Sequence, residues 1–189
     1  MFSMKEILKS LLLQIWISAC CFPVLADESI FPTHCKQSEF SYLNAKMAKI
    51  VYSPHRYDLE KNGKILSICT DKKIEPFSMV AYRYGIIGKV ELEEIATENK
   101  KFKIFDIYTH PVGNNIIYFT KGDFTYYVSE ATAQGHGVSL FVFKSNKEVL
   151  KLFSGNDSGI DYESGLIDFN FEKSQSPVLI RQRPKNTVW

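Results

Sequence analysis

Three times between residues 79 and 153 the chain repeats one design: an apolar or aromatic run, a few turn residues, then a second run. Met79 to Tyr84 leads through Gly85 and Gly88 into Val90 to Ile95. Ile116 to Phe119 leads through Lys121-Gly122-Asp123 into Phe124 to Ser129. Val138 to Phe143 leads through Ser145-Asn146 into Val149 to Phe153. β-branched and aromatic runs punctuated this way encode antiparallel hairpins. The spacing of the blocks is uneven and no residue pattern recurs strictly, which speaks against a propeller.

Other segments extend the pattern. Ile65 to Cys69 follows Asn62-Gly63, a strong hairpin-turn dipeptide. Phe102 to Tyr108 reads as a strand broken by Lys103 and Asp106, and Leu166 to Phe171 as a last strand. Asn44 to Tyr52 is a short helix or an early strand. The expectation is an all-β fold of nine or ten strands with at most one or two short helices. Its antiparallel hairpins form a sandwich or an open barrel, because one flat sheet would leave an apolar face in water. Phe124, Tyr126 and Val128 mark one apolar face of a half-exposed strand. Val138 to Phe143 is apolar on both faces and should be central.

Residues 1–26 carry the order of a secretory signal peptide: Lys5 and Lys9, the apolar run Leu11 to Phe22, then Val24-Leu25-Ala26 before Asp27. That run is too short to span a bilayer core comfortably. Cleavage after Ala26 leaves residues 27–189 as a single exported domain with no integral membrane segment, periplasmic or secreted. Ile17-Ser18-Ala19-Cys20 offers a rival lipobox reading, with a lipid on Cys20. A retained anchor is a third reading.

Beyond the leader only Cys35 and Cys69 remain. Disulfides persist in exported proteins, so a Cys35–Cys69 bridge is expected. It would pin the weakly structured lead-in of residues 27–43 to the sheet. The chain carries a formal net charge of +2, which makes no case for nucleic acid. Arg181, Arg183 and Lys185 read as a solvated terminus.

Motifs for chemistry are sparse. His34, His55, His110 and His136 show no zinc-protease spacing. His34 sits beside Cys35, and His110 before Pro111 reads as a turn residue. His136 lies in Ala133-Gln134-Gly135-His136-Gly137, where two glycines would let a loop tip present the imidazole. Ser139 lacks the G-x-S-x-G elbow of a serine nucleophile. Glu91 and Glu93 should share a strand face. Asp157, Asp161 and Glu163 offer oxygen ligands without the spacing of a calcium loop. No cofactor, metal or catalytic set is expected. Tyr82, Arg83 and Tyr84 join His136 as candidate binding residues, since tyrosine and arginine are favoured interface anchors.

From Gly63 to Phe153, the Cys69 strand, Tyr82-Arg83-Tyr84-Gly85, Val90-Glu91-Leu92-Glu93 and Lys121-Gly122-Asp123-Phe124-Thr125-Tyr126 resemble small exported β-rich bacterial proteins of unassigned function. In architecture alone the chain is similar to periplasmic lysozyme inhibitors, which insert loops into an enzyme. The resemblance implies an exported all-β domain and carries over no site residue. Two functional readings follow. One is a cell-envelope interaction protein, an inhibitor or immunity-type partner of a secreted enzyme. The alternative is a hydrolytic enzyme using carboxylates or His136, or a structural or small-ligand-binding module.

Overall fold

A computed structural model describes residues 31–54, 56–109, 112–132, 135–166 and 174–184. Residues 1–30, with Cys20 and the expected signal peptide, His55, His110, Lys185 and all but the start of the expected Leu166–Phe171 strand lie outside them. The described residues are all-β, without a helix. The Asn44–Tyr52 ambiguity resolves as strand: β1 runs Phe40–Ser53 and pairs antiparallel with β2, Arg56–Thr70.

Asn62-Gly63 does not make the expected hairpin turn. Met47 pairs with Lys64 and Ala48 with Lys61, so Asn62 and Gly63 are extra residues bulged out of β2. The dipeptide keeps its positive-φ habit, with Gly63 at φ 71°. The long strand β1 opposite holds both halves of β2 in one ladder, which overrides the local turn signal.

The three blocks form as hairpins. β3 (Val80–Ile86) pairs with β4 (Lys89–Ala96), β6 (Val112–Lys121) with β7 (Phe124–Thr132), and β8 (Gly137–Lys144) with β9 (Lys147–Phe153). Ser145 and Asn146 both take positive φ, 48° and 68°, as a turn matched to strand twist requires. β5 is Phe102–Thr109. Two short strands, β10 (Tyr162–Glu163) and β11 (Leu179–Arg181), carry no hairpin signal in the sequence.

All eleven strands belong to one sheet, ordered β11-β5-β6-β7-β8-β9-β1-β2-β3-β4, with β10 beside β1. Only β11 with β5 is a parallel pair among the described strands. The sheet curls strongly, so the open-barrel form holds rather than the sandwich. Five strands separate β3 from β6 in the sheet, yet the Tyr82 and Phe119 rings lie 5.0 Å apart. Curling buries Leu43, Met47, Leu66, Ile68, Phe102 and Phe119 in one core. Each such side chain contributes roughly 1.5–3 kcal/mol relative to exposure.

The outer face has a second, smaller cluster: Phe105, Ile116, Tyr118 and Tyr127. It changes the reading of β7. Tyr127, Val128, Ser129 and Glu130 are all buried, so this part of β7 is covered on both faces rather than half-exposed. Tyr118 stacks on Tyr127 at 4.9 Å, and Phe105 meets Tyr118 edge-on at 5.6 Å. β8 is central, with Val138, Leu140 and Val142 buried and Phe141 and Phe143 half-buried.

Candidate functional site

Strand alternation separates Tyr82 from Arg83. Tyr82 points into the core and is wholly enclosed. Burial first, then the neighbouring Tyr84 and Tyr126, raise its hydroxyl well above the ordinary range. Tyr84 lies half-buried with Lys64 over its ring at 5.4 Å. Arg83 leaves the outer face, yet only 2% of it is exposed, because the lead-in covers it.

The covering segment is a strap. Arg83 Nη2 donates to Glu39 Oε1 at 2.8 Å, Nη1 donates to Glu39 Oε2, and Nε donates to Glu93 Oε1 at 2.6 Å. Arg83 Nη1 also reaches the His34 carbonyl at 3.3 Å. The His34 backbone N–H donates to Ser67 Oγ at 3.0 Å, and its Nε2 lies 3.0 Å from the Gly85 carbonyl. Cys35 and Cys69 form the expected disulfide, their Cα atoms 5.4 Å apart. Hydrogen bonding to Glu39 raises the Arg83 guanidinium above its ordinary value against the opposing effect of burial. Cys35, Glu39 and Cys69 converge closely enough to suggest metal ligation. Both sulfurs are bonded to each other, so this is a structural tie.

The remaining sequence candidates are dispersed. His136 is exposed, its ring 6.3 Å from that of Tyr162. Glu91 and Glu93 do not act as a pair. Tyr84 pairs with Leu92 and Gly85 with Val90, which leaves Glu91 as the bulged residue. It meets Lys64 at 2.6 Å, beside Tyr84, while Glu93 meets Arg83 on the other face. In the acidic loop, the Asp157 carbonyl accepts from the Ile160 and Asp161 N–H groups. Asp161 faces Lys61 at 3.6 Å, and Glu163 accepts from Asn44 at 2.7 Å. Glu91, Glu93, Asp161 and Glu163 each have a separate partner, so these four carboxylates do not converge on one point.

One interior cavity among the described residues is small. It measures about 10 Å³ and lies among Tyr42, Ile68, Thr70, Phe77 and Ile117. That is about the size of one water molecule, far below the roughly 300 Å³ of a small-ligand pocket.

A larger concavity lies on the surface. Phe105, Asp106, Ile107 and Tyr108 of β5 join Arg181 and Arg183 around an open groove of about 380 Å³. Arg181 Nη2 donates to Asp106 Oδ1 at 2.9 Å. Tyr108 is 79% exposed, and Arg183 is exposed beside it. These arginines, expected in a solvated terminus, line the groove. The sequence does not reveal it, because β11 and β5 are far apart in the chain and pair parallel. The available signal was the apolar triplet Val178-Leu179-Ile180 ahead of Arg181. No family model matches this chain, and neither does any curated protein or solved structure.

Proposed function

We propose that this protein is an exported interaction module of the cell envelope, an inhibitor or immunity-type partner of a secreted enzyme. The groove on β5 carries the reading. It combines an exposed tyrosine with two arginines, residue types that anchor protein interfaces. The interior cavity that the described residues enclose is water-sized, whereas the groove on the surface is far larger. The Cys35–Cys69 bridge suits an oxidising compartment, and no helix of the described residues is long and apolar enough to cross a membrane. The near-balanced charge favours a protein partner over nucleic acid.

Affinity capture from envelope extract, with the oxidised protein immobilised, tests the reading. A partner retained by the native protein should bind a Tyr108→Ala/Arg183→Ala variant about thirtyfold more weakly. Failure to retain any specific partner across a range of salt concentrations overturns it.

A further inference from the structure

Hydrogen bonds to β11 cover only the first part of the outer edge of β5. Leu179 pairs with Phe102, Ile180 with Lys103 and Arg181 with Ile104, and the ladder stops there. The Phe102 N–H donates to the Val178 carbonyl and the Ile104 carbonyl accepts from the Gln182 N–H. Even-numbered residues of β5 therefore turn their backbone groups toward this edge, and odd-numbered ones toward β6. Asp106 and Tyr108 share that parity. Among the described residues no strand pairs with them on this side. The groove lies alongside this open stretch.

We propose that the second half of β5 accepts an extended, acidic segment of a protein partner as an added strand. This rests on the interaction reading above and specifies its mode. Main-chain groups of Asp106 and Tyr108 would supply the ladder, as in other strand-addition complexes. Charge selects the occupant. Two guanidiniums face one carboxylate in the groove, and Asp106 already engages Arg181. Arg183 is left to pair with a carboxylate on the incoming strand. The exposed Tyr108 ring adds apolar contact beside it.

The opposite edge of the sheet is protected, which singles out β5. On β4 the Glu93 carbonyl accepts from Lys121 Nζ at 2.8 Å. Glu94 is paired with Lys121 at 3.3 Å and with Lys100. Charged side chains folded across an edge are how sheets discourage pairing. On the Asp106–Tyr108 stretch the described residues place only the Arg181–Asp106 ion pair, and β11 shows that β5 takes a strand on this side.

Amide hydrogen exchange on the full oxidised chain is the test. The probe is a short synthetic peptide alternating valine with glutamate, at millimolar concentration. Two controls replace glutamate with lysine, or N-methylate alternate backbone nitrogens. The glutamate peptide should slow exchange at Asp106 and Tyr108 by about tenfold, with Phe105 and Ile107 little changed. Both controls should leave exchange as it was. Arg183→Glu should abolish the effect of the glutamate peptide and admit the lysine peptide instead. Unchanged exchange at Asp106 and Tyr108, or equal protection by the N-methylated peptide, overturns strand addition. If an envelope partner is still captured in that case, the interaction reading stands and only its mode fails.

Discussion

Arg83 and Glu39 of the lead-in, 44 residues apart in the chain, meet in a two-pronged ion pair, with Nη2 and Oε1 2.8 Å apart. The Glu39 side chain is 7% exposed and that of Arg83 2%. Removing one partner of such a pair leaves a buried charge short of its counter-charge. Glu39→Gln should cost about 3 kcal/mol of stability, softened by the remaining Glu93 contact. Arg83→Lys keeps the charge but cannot serve both carboxylates with a planar fork, and should also destabilise. Urea denaturation midpoints check both; a loss indistinguishable from zero for Glu39→Gln contradicts the ion-pair account.

Acid should weaken the same region. Burial pushes the Glu39 carboxyl up, but hydrogen bonds from Arg83 and the Lys36 N–H, with their charges, hold it below the ordinary range. Asp71 is likewise lowered: bonds from the Ser78 hydroxyl and the Met79 and Ser78 N–H groups outweigh burial. A carboxyl lowered on folding adds stability that is complete above its unfolded pKa and is lost as pH falls through its folded one. With unfolded values near about 4, these two groups should contribute fully at neutrality and progressively less below about pH 4. A Glu39→Gln/Asp71→Asn variant should show a shallower acid limb in stability measured from pH 7 to pH 2. An unchanged slope contradicts the assignment.

The disulfide closes a sequence separation of 34 residues, worth roughly 4 kcal/mol by chain entropy. Cys35→Ser or Cys69→Ser should lower stability by about 2–5 kcal/mol and loosen the strap around Cys35. The groove on β5 should be unaffected. Mass spectrometry of non-reduced protein should find no free thiol at either position.

Tyr82 carries a buried hydroxyl with no hydrogen-bond partner among the described residues. A polar group enclosed without a partner costs free energy that its removal returns. Tyr82→Phe should therefore raise stability by about 1 kcal/mol, an uncommon direction for a core substitution. Thermal unfolding of the variant decides it. A marked loss would mean that the hydroxyl is satisfied in solution.

The bulge in β2 depends on Gly63, whose φ is 71° with open space where a Cβ would sit. Gly63→Ala meets no clash there, so its cost is the left-handed backbone alone, about 1 kcal/mol. A larger loss in chemical denaturation would mean that the bulge is coupled to the neighbouring ladder.

The hairpins β3–β4, β6–β7 and β8–β9 were legible because each is local. Two β-forming runs and a short turn carry both the strands and their pairing in adjacent residues. The Cys35–Cys69 bridge was legible because residues 27–189 hold no other cysteine to compete. Long-range pairing was not. Ala48 joins Phe153 where β1 meets β9, and Leu179 joins Phe102 where β11 meets β5. Backbone hydrogen bonds are the same at every residue, so nothing in either segment names its distant partner. The same limit hid the groove, whose arginines and tyrosine are assembled by the β11–β5 pair. Arg83 reads as a surface residue until the strap folds over it, and Asn62-Gly63 reads as a hairpin turn until β1 spans both sides. Local propensity and alternation set the strands and most of their faces. Only tertiary packing decided which edge meets which, because burial and ladder pairing depend on residues brought together across the whole chain.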